Sequence, residues 1–268
     1  MADEEVHKKK EFENFIESNM QQALDSQCFE MVLQPKIDLQ ANSVIAAEAL
    51  VRWRLEDGTY LPPSSFVDIF EKNLFCSKLD FYMLKKAIQQ IRKWIDMGMN
   101  PVNISVNQSK IVFYHENYIS ELKSLLEEYN VSGSYITLEV LESTVIEDID
   151  MFNSILTEVK KLGFSVSLDD FGSGYSSLNV LSKLQIDELK IDRIFLHTKS
   201  EVDNQRTKWI LESIIDIAKK SQILVVVEGV ESKQDDLFIK NLGADVGQGY
   251  FYGRPLSISA FNDLIETK

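Results

Sequence analysis

Five acidic side chains lie within or directly after short apolar runs. They are Glu48, Glu139, Asp169, Asp170 and Glu228. Taken singly, each acid is best explained without a ligand, as a strand-end carboxylate in water or an ordinary ion pair. Together they are too many for Lys190 and Arg52 to neutralise, and each uncompensated buried carboxylate costs several kcal/mol. Carboxylates and the Asn103 amide are the hard oxygen ligands that Mg²⁺ or Mn²⁺ prefers, so these residues favour a metal site.

Two of the acids belong to one continuous unit, Ser165–Asp192. The apolar run from Ser165 ends in Asp169 and Asp170, and a glycine-punctuated loop, Phe171–Tyr175, leads into a helical stretch. A second short strand, Glu188–Ile191, carries Lys190 in its middle. The pattern predicts a βα unit with its chemistry at the carboxyl end of the strand. Two ions about 4 Å apart would form the usual clamp for phosphodiester hydrolysis.

The elements that would position these side chains alternate between strand and helix along the chain. The predicted strands are Phe29–Leu39, Val44–Trp53, Val102–Val106, Tyr135–Val140, Ser165–Leu168, Glu188–Ile191, Ile223–Val227 and Val246–Tyr250. The predicted helices are Pro63–Met97 with a break near Asn73–Ser77, Glu116–Asn130, Met151–Leu162, Asp203–Lys220, Lys233–Leu242 and Phe261–Glu266. The turn at Ala41–Ser43 is too short for anything but an antiparallel connection. We therefore predict an α/β fold, a modified TIM (β/α)8 barrel whose first strand is antiparallel.

Side-chain parity tells which strand face points into the barrel. In five predicted strands the polar residues share one parity and the apolar residues share the other, as Asn103, Ser105 and Asn107 do against Ile104 and Val106. Because the apolar set belongs under the helices, the polar set is expected to point inward.

Charge, cysteine and histidine content and the lengths of the apolar runs argue against several other classes of protein and site. The net charge of −14 argues against a DNA-binding surface on electrostatic grounds. Cys28 and Cys76 show no disulfide or CxxC pattern, which fits a reducing cytoplasmic compartment. No run approaches the roughly 18 apolar residues of a membrane segment. The three histidines are not at ligand spacing, so a histidine-rich metal site is excluded.

Residues 1–26 are predicted to form an N-terminal helix that precedes a barrel spanning residues 27–268. Phe12, Phe15, Ile16, Met20, Ala23 and Leu24 recur at helical spacing on one face. Two interpretations stay open. The helix packs on the barrel, or it connects to an upstream sensor domain, and the two can coexist.

With these residues laid out, the chain resembles the EAL-domain family of bacterial cyclic di-GMP phosphodiesterases from about Phe29 to Leu256. The motifs recur in order: Gln34-Pro35, Glu48-Ala49-Leu50 with Arg52-Trp53, Asn103-Ile104-Ser105, Glu139–Ser143, Asp169–Leu178, Leu189–Asp192, Glu228–Glu231, Gln248–Tyr250 and Arg254-Pro255. Two departures are visible. Leu141 stands where threonine is usual, and Lys36 stands where the family prefers an apolar residue, which would add an attractive charge for phosphates.

The resemblance implies hydrolysis of cyclic di-GMP to linear pGpG with two Mg²⁺ or Mn²⁺ ions. It assigns Glu48, Asn103, Glu139 and Asp169 to the first ion, and Asp169, Asp170 and Glu228 to the second. Lys190 would orient the attacking water. Glu228 has also been assigned as general base, but a carboxylate already on a metal is a poor base, so we favour water activated by the ions. Gln34, Arg52, Asp192 and Gln248 are expected to contact phosphate or guanine.

The loop after Asp170 is expected to have a regulatory role by resemblance. Phe171, Gly172, Ser173 and Gly174 would couple dimer contacts to metal binding, with Glu142 holding the loop. The plainer interpretation is a glycine turn into a helix capped by Ser176 or Ser177. The family also implies a homodimer and an upstream sensor or GGDEF-type domain.

Two other functions compete with the phosphodiesterase. One is a catalytically silent receptor that binds cyclic di-GMP and signals through the N-terminal helix; such members typically lose acids that this chain keeps. The other is a different metal-dependent barrel enzyme, such as one that stabilises an enolate, and the full series of motifs argues against it.

Overall fold

A closed barrel of eight strands forms the body of the protein in the computed structural model, which describes residues 2–145, 149–172, 178–196 and 201–266. The strands are β1 (Phe29–Asp38), β2 (Ser43–Arg54), β4 (Asn103–Gln108), β5 (Ile136–Leu141), β6 (Ser165–Phe171), β7 (Glu188–Ile191), β8 (Leu224–Val227) and β9 (Val246–Gln248). A two-residue strand, β3 (Tyr60–Leu61), pairs antiparallel with the end of β2 and is not part of the barrel. The order β1-β9-β8-β7-β6-β5-β4-β2 closes through pairing of β1 with β2.

Strand β1 runs against its neighbours, as the short turn after it predicts. It pairs antiparallel with both β2 and β9, whereas β2, β4 and the later barrel strands are parallel to one another. This register sets Gln34 opposite Glu48. The predicted modified TIM barrel is confirmed. The pair β2–β3 was not predicted, because a two-residue strand leaves no alternating pattern to detect.

Helices surround the barrel, and all but the short α5 lie near predicted positions. They are α1 (Ala2–Asp25), α2 (Val67–Lys72), α3 (Cys76–Asp96), α4 (Tyr118–Tyr129), α5 (Glu142–Val145), α6 (Ile149–Lys161), α7 (Leu178–Lys183), α8 (Glu201–Lys220), α9 (Lys233–Leu242) and α10 (Ile258–Glu266). The break predicted near Asn73–Ser77 separates α2 from α3. The predicted caps Ser176 and Ser177 lie outside the described residues.

The helix α1 packs on the barrel through its second half. Ile16 is fully buried, Ala23 is nearly so, and the ring of Phe15 stacks on Trp53 with centroids 6.4 Å apart. Residues 5–12 are exposed. The interpretation that the helix packs on the barrel therefore holds for its second half. None of the helices in the described ranges is long and apolar enough to span a membrane.

The barrel interior is polar, as side-chain parity predicts. Apolar strand residues such as Ile104, Leu138 and Val166 are buried under the helices. The buried polar residues that share the opposite parity are Lys36, Glu48, Ser105, Thr137, Glu139, Ser167, Asp169, Glu188 and Lys190. Charged side chains are almost never buried unless they are paired, so this interior is organised by ion pairs.

A β-bulge places the two adjacent aspartates at the same rim. Pairing of β6 with β7 shifts register between Leu168 and Phe171, so β6 has one residue more than β7 across this interval. Asp170 takes φ of 57° there, a left-handed conformation that is uncommon outside glycine. Strand β6 thus continues to Phe171 instead of ending at Leu168 as predicted.

Gly172 is a glycine at which we expect a substitution to damage this rim. Its φ is +98°, and an added Cβ would overlap the ring of Phe195. Gly172→Ala should lower the free energy of unfolding by about 3 kcal/mol or more, the sum of left-handed strain and overpacking. Gly58→Ala is the matched control, because φ there is +83° with no atom within 4 Å of the added Cβ. Its expected cost is about 1–2 kcal/mol. Equal losses in urea unfolding would contradict the proposed clash.

Candidate active site

The ammonium group of Lys190 lies among four carboxylates from four different elements. Its Nζ is 2.9 Å from Glu139, 3.0 Å from Asp169, 2.9 Å from Glu228 and 3.4 Å from Glu48. Lys190 is 1% exposed, in the middle of β7. These acids come from β2, β5, β6 and the residue after β8, so the barrel is what brings them together.

The raised pKa values of two of these acids indicate that negative charge is in excess here. Burial raises the pKa of Asp169 well above its ordinary value, and the pull of Lys190 does not overcome it because Glu228, Glu139 and Glu48 repel the charge. Burial likewise raises the pKa of Glu228 to about 7 against the pull of Lys190. One lysine therefore does not neutralise this group of acids.

Two of the acids that contact Lys190, Asp169 and Glu228, also lie close to Asp170. Carboxylate oxygens of Asp169, Asp170 and Glu228 all lie within 4.8 Å of one another. Burial raises the pKa of Asp170, with the nearby Asp192 adding to the rise. Three acids at this spacing are a suitable donor set for a divalent cation.

The structure does not bring Asn103 to these acids, and the prediction for that residue is corrected. Asn103 starts β4, where its amide donates to the carbonyl of Ser134 and accepts from Thr137. Asn107 lies four residues further along β4, about 13 Å at the rise of a strand. Its Nδ2 is 3.1 Å from Oε1 of Glu48.

The sequence contained the signal for Asn107. The form N-x-S occurs twice, at Asn103–Ser105 and again at Asn107–Ser109, and both asparagines have inward parity. Parallel barrels carry their chemistry at the carboxyl ends of the strands, which selects the second copy. The first copy was chosen because it matched the family motif.

Lys36 is the buried residue whose role the sequence did not predict. It is 0% exposed, and its Nζ is 2.7 Å from Ser105 Oγ, 2.8 Å from Glu139 Oε1 and 2.9 Å from Glu188 Oε1. The suggestion that it attracts phosphates is therefore wrong, since no substrate reaches it. Burial alone would raise the pKa of Glu139, but Lys190 and Lys36 together lower it to about 2.

A cleft of about 240 Å³ beside these acids contains three of the four predicted substrate contacts. Gln34, Asp192 and Gln248 line it together with Glu48 and Glu228. Both glutamines are bonded within the protein. Gln248 Nε2 donates to Glu48 and, at 3.4 Å, to Gln34, whose own Nε2 donates to the carbonyl of Gly253. Oε1 of Gln248 is buried and finds no partner in the described part of the chain.

Arg52 is outside this cleft, four residues beyond Glu48 on β2. Its Nη1 donates to the carbonyl of Val51, and it interacts electrostatically with Tyr250, which lines the cleft. Arg254 stacks over the ring of Tyr250 at 4.2 Å. The guanidinium group of Arg254 therefore covers a ring that is otherwise exposed near the acids.

A second cavity, of about 370 Å³, lies between the rim of the barrel and helices α2 and α3. Its mostly apolar lining includes Leu50, Met83 and Leu141, and it reaches Asn107 and Asp80. Burial raises the pKa of Asp80 to about 7 against two hydrogen bonds from Ser109. This cavity has no signature in the sequence, because α2, α3 and β4 meet only in the folded chain.

The predicted loop residues are only partly described. Glu142 is buried at the start of α5, and Phe171 is buried at the end of β6. Gly172 packs against Phe195. Ser173 and Gly174 lie outside the described residues.

Comparisons with known proteins agree with this fold. A family model described as EAL domain matches residues 17–255. The cyclic di-GMP phosphodiesterase NbdA of Pseudomonas aeruginosa is 33% identical over 250 residues, 93% of this chain and 32% of the relative. The cyclic di-GMP phosphodiesterase PdeR of Escherichia coli is 31% identical over 248 residues, 92% of this chain and 37% of the relative.

A solved structure, the MucR phosphodiesterase in complex with c-di-GMP, superposes with a TM-score of 0.84 at 32% identity. The match covers 92% of this chain and 99% of that one. The chain spans about a third of the length of the curated relatives NbdA and PdeR.

Proposed function

The chain belongs to the EAL domain family, and from this membership and the site we propose that it hydrolyses cyclic di-GMP to linear pGpG with two divalent cations, Mg²⁺ or Mn²⁺. The observation that carries the proposal is the group of carboxylates around Lys190. Two relatives with more than 30% identity carry the name cyclic di-GMP phosphodiesterase, which supports the choice of substrate.

The charge inside the barrel supports two cations. The inward acids are Glu48, Glu139, Asp169, Asp170, Glu188 and Glu228, and the buried lysines are Lys36 and Lys190. With every one of these groups ionised, six carboxylates against two ammonium groups leave four negative charges, which two divalent cations would neutralise. We propose Glu48, Asn107, Glu139 and Asp169 for the first cation, and Asp169, Asp170 and Glu228 for the second.

The protein groups bind and orient the reactants in this proposal. When bound, the cations would supply Lewis-acid activation of water and neutralise charge on the phosphate. The three donors of the Lys190 ammonium are shared among four acids. Cations bound by these acids would release a donor, with which Lys190 would orient the attacking water. The water oxygen forms a bond to phosphorus and gives up one proton. The bond to the ribose 3′ oxygen breaks, and that oxygen takes up one proton, so the protons balance.

Substrate would be held on both sides of the acids. We propose that Arg52 contacts a phosphate and that Gln34, Asp192 and Gln248 form the cleft wall beside it. The exposed ring of Tyr250 offers a face on which a base stacks. The cavity beside Asp80 is of a size and polarity to hold the other base, because a carboxylate pairs well with the N1–H and amino group of guanine.

Incubation of the chain with cyclic di-GMP and Mn²⁺, followed by chromatography, tests the proposal. We expect pGpG from the natural chain and none from Glu48→Ala. Binding of cyclic di-GMP by both proteins with no product from either would favour the catalytically silent receptor.

The two asparagines of β4 give a matched test of the corrected assignment. Asn107→Ala should lower kcat/KM in Mn²⁺ by about 10- to 100-fold, because an oxygen ligand and the contact with Glu48 are lost. Asn103→Ala should keep activity within about threefold and cost about 1 kcal/mol of stability, since only its bonds to Thr137 and Ser134 are lost. The reverse order of activities would restore the original assignment.

The predicted homodimer and the upstream sensor or GGDEF-type domain remain proposals. The share of the curated relatives that this chain covers supports additional domains in them. The exposed first half of α1 is a suitable connector, because residues 5–12 are exposed. Light scattering of the chain, with and without cyclic di-GMP, tests for the dimer.

A further inference from the structure

The two oxygens of Glu139 are held by two different lysines. Oε1 is 2.8 Å from Lys36 and Oε2 is 2.9 Å from Lys190. The other contacts of Lys190 are with acids of the rim. The other contacts of Lys36 are with Glu188 and Ser105, which are deeper in the barrel.

Lys36 belongs to a layer below the proposed cation sites. Glu188 starts β7 two residues before Lys190, which is about 7 Å along the strand. The Lys36 ammonium is fixed from three strands, by Ser105 on β4, Glu139 on β5 and Glu188 on β7. Its three hydrogen-bond donors are thereby all used, so the group has no freedom to move with Glu139.

We propose that Lys36 is a positioning residue that holds Oε1 of Glu139 and leaves Oε2 to face the cation. This inference rests on the proposed function. Partners behind a metal-ligating carboxylate set its orientation, and their loss typically weakens metal affinity 10- to 100-fold. The reversed strand β1 supplies this partner, because its register brings Lys36 beneath the rim residue Gln34.

The competing explanation is that Lys36 only stabilises the core as part of a buried ion pair. Such pairs are often replaced by uncharged residues without loss of stability, whereas removal of one partner is strongly destabilising. The single variant Lys36→Met would remove the lysine paired with Glu188 and leave Glu139 with Lys190 alone. The double variant Lys36→Met/Glu188→Gln removes one charge of each sign and keeps the net charge of the interior.

Mn²⁺ binding by the folded full chain, measured by electron paramagnetic resonance of the free ion, separates the two explanations. For the double variant we expect Mn²⁺ affinity to be about 10- to 100-fold weaker. We also expect kcat to fall while KM changes less than about twofold, because Lys36 has no surface that faces the substrate. Circular dichroism should show the natural fold.

Lys240→Met is the matched control, since Lys240 also pairs with a buried acid, Asp236, on α9 outside the barrel. Its Mn²⁺ affinity should equal that of the natural chain. Equal or tighter Mn²⁺ binding by the folded double variant would overturn the inference. If the natural chain itself binds no Mn²⁺, the proposed function fails instead.

Ser105→Ala provides the same test if the double variant does not fold. It removes one hydroxyl contact of Lys36 and leaves every buried charge in place. We expect Mn²⁺ affinity to fall about threefold to tenfold, the value of one hydrogen bond. Unchanged affinity in Ser105→Ala would overturn the inference.

Discussion

Asp169→Asn should reduce hydrolysis of cyclic di-GMP by at least about 10³-fold and leave the fold intact. Asp169 contacts Lys190 and also belongs to the group with Asp170 and Glu228, so both proposed cations depend on it. A catalytic divalent cation supplies several kcal/mol of charge stabilisation, and each 1.36 kcal/mol is a tenfold change in rate. The isosteric amide removes a negative charge from a place where burial already disfavours it. Thermal stability without metal should therefore be equal or higher.

Asp187→Asn is the control for this substitution. Asp187 precedes β7, accepts a hydrogen bond from Val166 and pairs with Lys160, away from the proposed ligands. Its variant should retain activity with a modest loss of stability. Asp169→Asn with activity within tenfold of the natural chain, measured as pGpG formed per minute, would contradict the shared role of Asp169.

Lys190→Met should have the second largest effect, and on two properties. The ammonium is the buried partner of four carboxylates, so its loss without metal should lower the free energy of unfolding by about 3–5 kcal/mol. Added Mn²⁺ should restore much of this stability, because divalent cations bind among the same acids. Activity in saturating Mn²⁺ should still fall by about 10²-fold or more, as expected for a residue that orients the attacking water.

Denaturant unfolding with and without Mn²⁺ measures both effects. Lys160→Met is the control, because its ion pair with Asp187 is partly exposed on the outside of the barrel. A destabilised Lys190→Met that gains no more from Mn²⁺ than Lys160→Met does would mean that the cations bind elsewhere.

The barrel was predictable because its strands keep a strict alternation. Polar and apolar residues separate by parity on β4, β5 and β6. A register shift of one residue would move every side chain of a strand to the other face. The reversal of β1 followed from the length of one turn. These are local properties, and the sequence contains them directly.

The details of the site were less predictable because they depend on contacts between distant strands. Asn103 and Asn107 are identical in type and parity, and only the ends of β4 distinguish them. The role of Lys36 depends on Glu139 and Glu188, which are 103 and 152 residues away in the sequence. The bulge at Asp170 arises from the pairing of β6 with β7. No glycine stands at the bulged position, so the sequence gives no sign of it.

The central claim is that the carboxylates around Lys190 bind two divalent cations. Anomalous scattering at the manganese edge, from crystals grown with Mn²⁺ and cyclic di-GMP, tests it most directly. We predict two peaks roughly 4 Å apart, one beside Glu48, Asn107 and Glu139, the other beside Asp170 and Glu228, with Asp169 between them. Crystals with cyclic di-GMP bound and no manganese peak among these acids would contradict the claim.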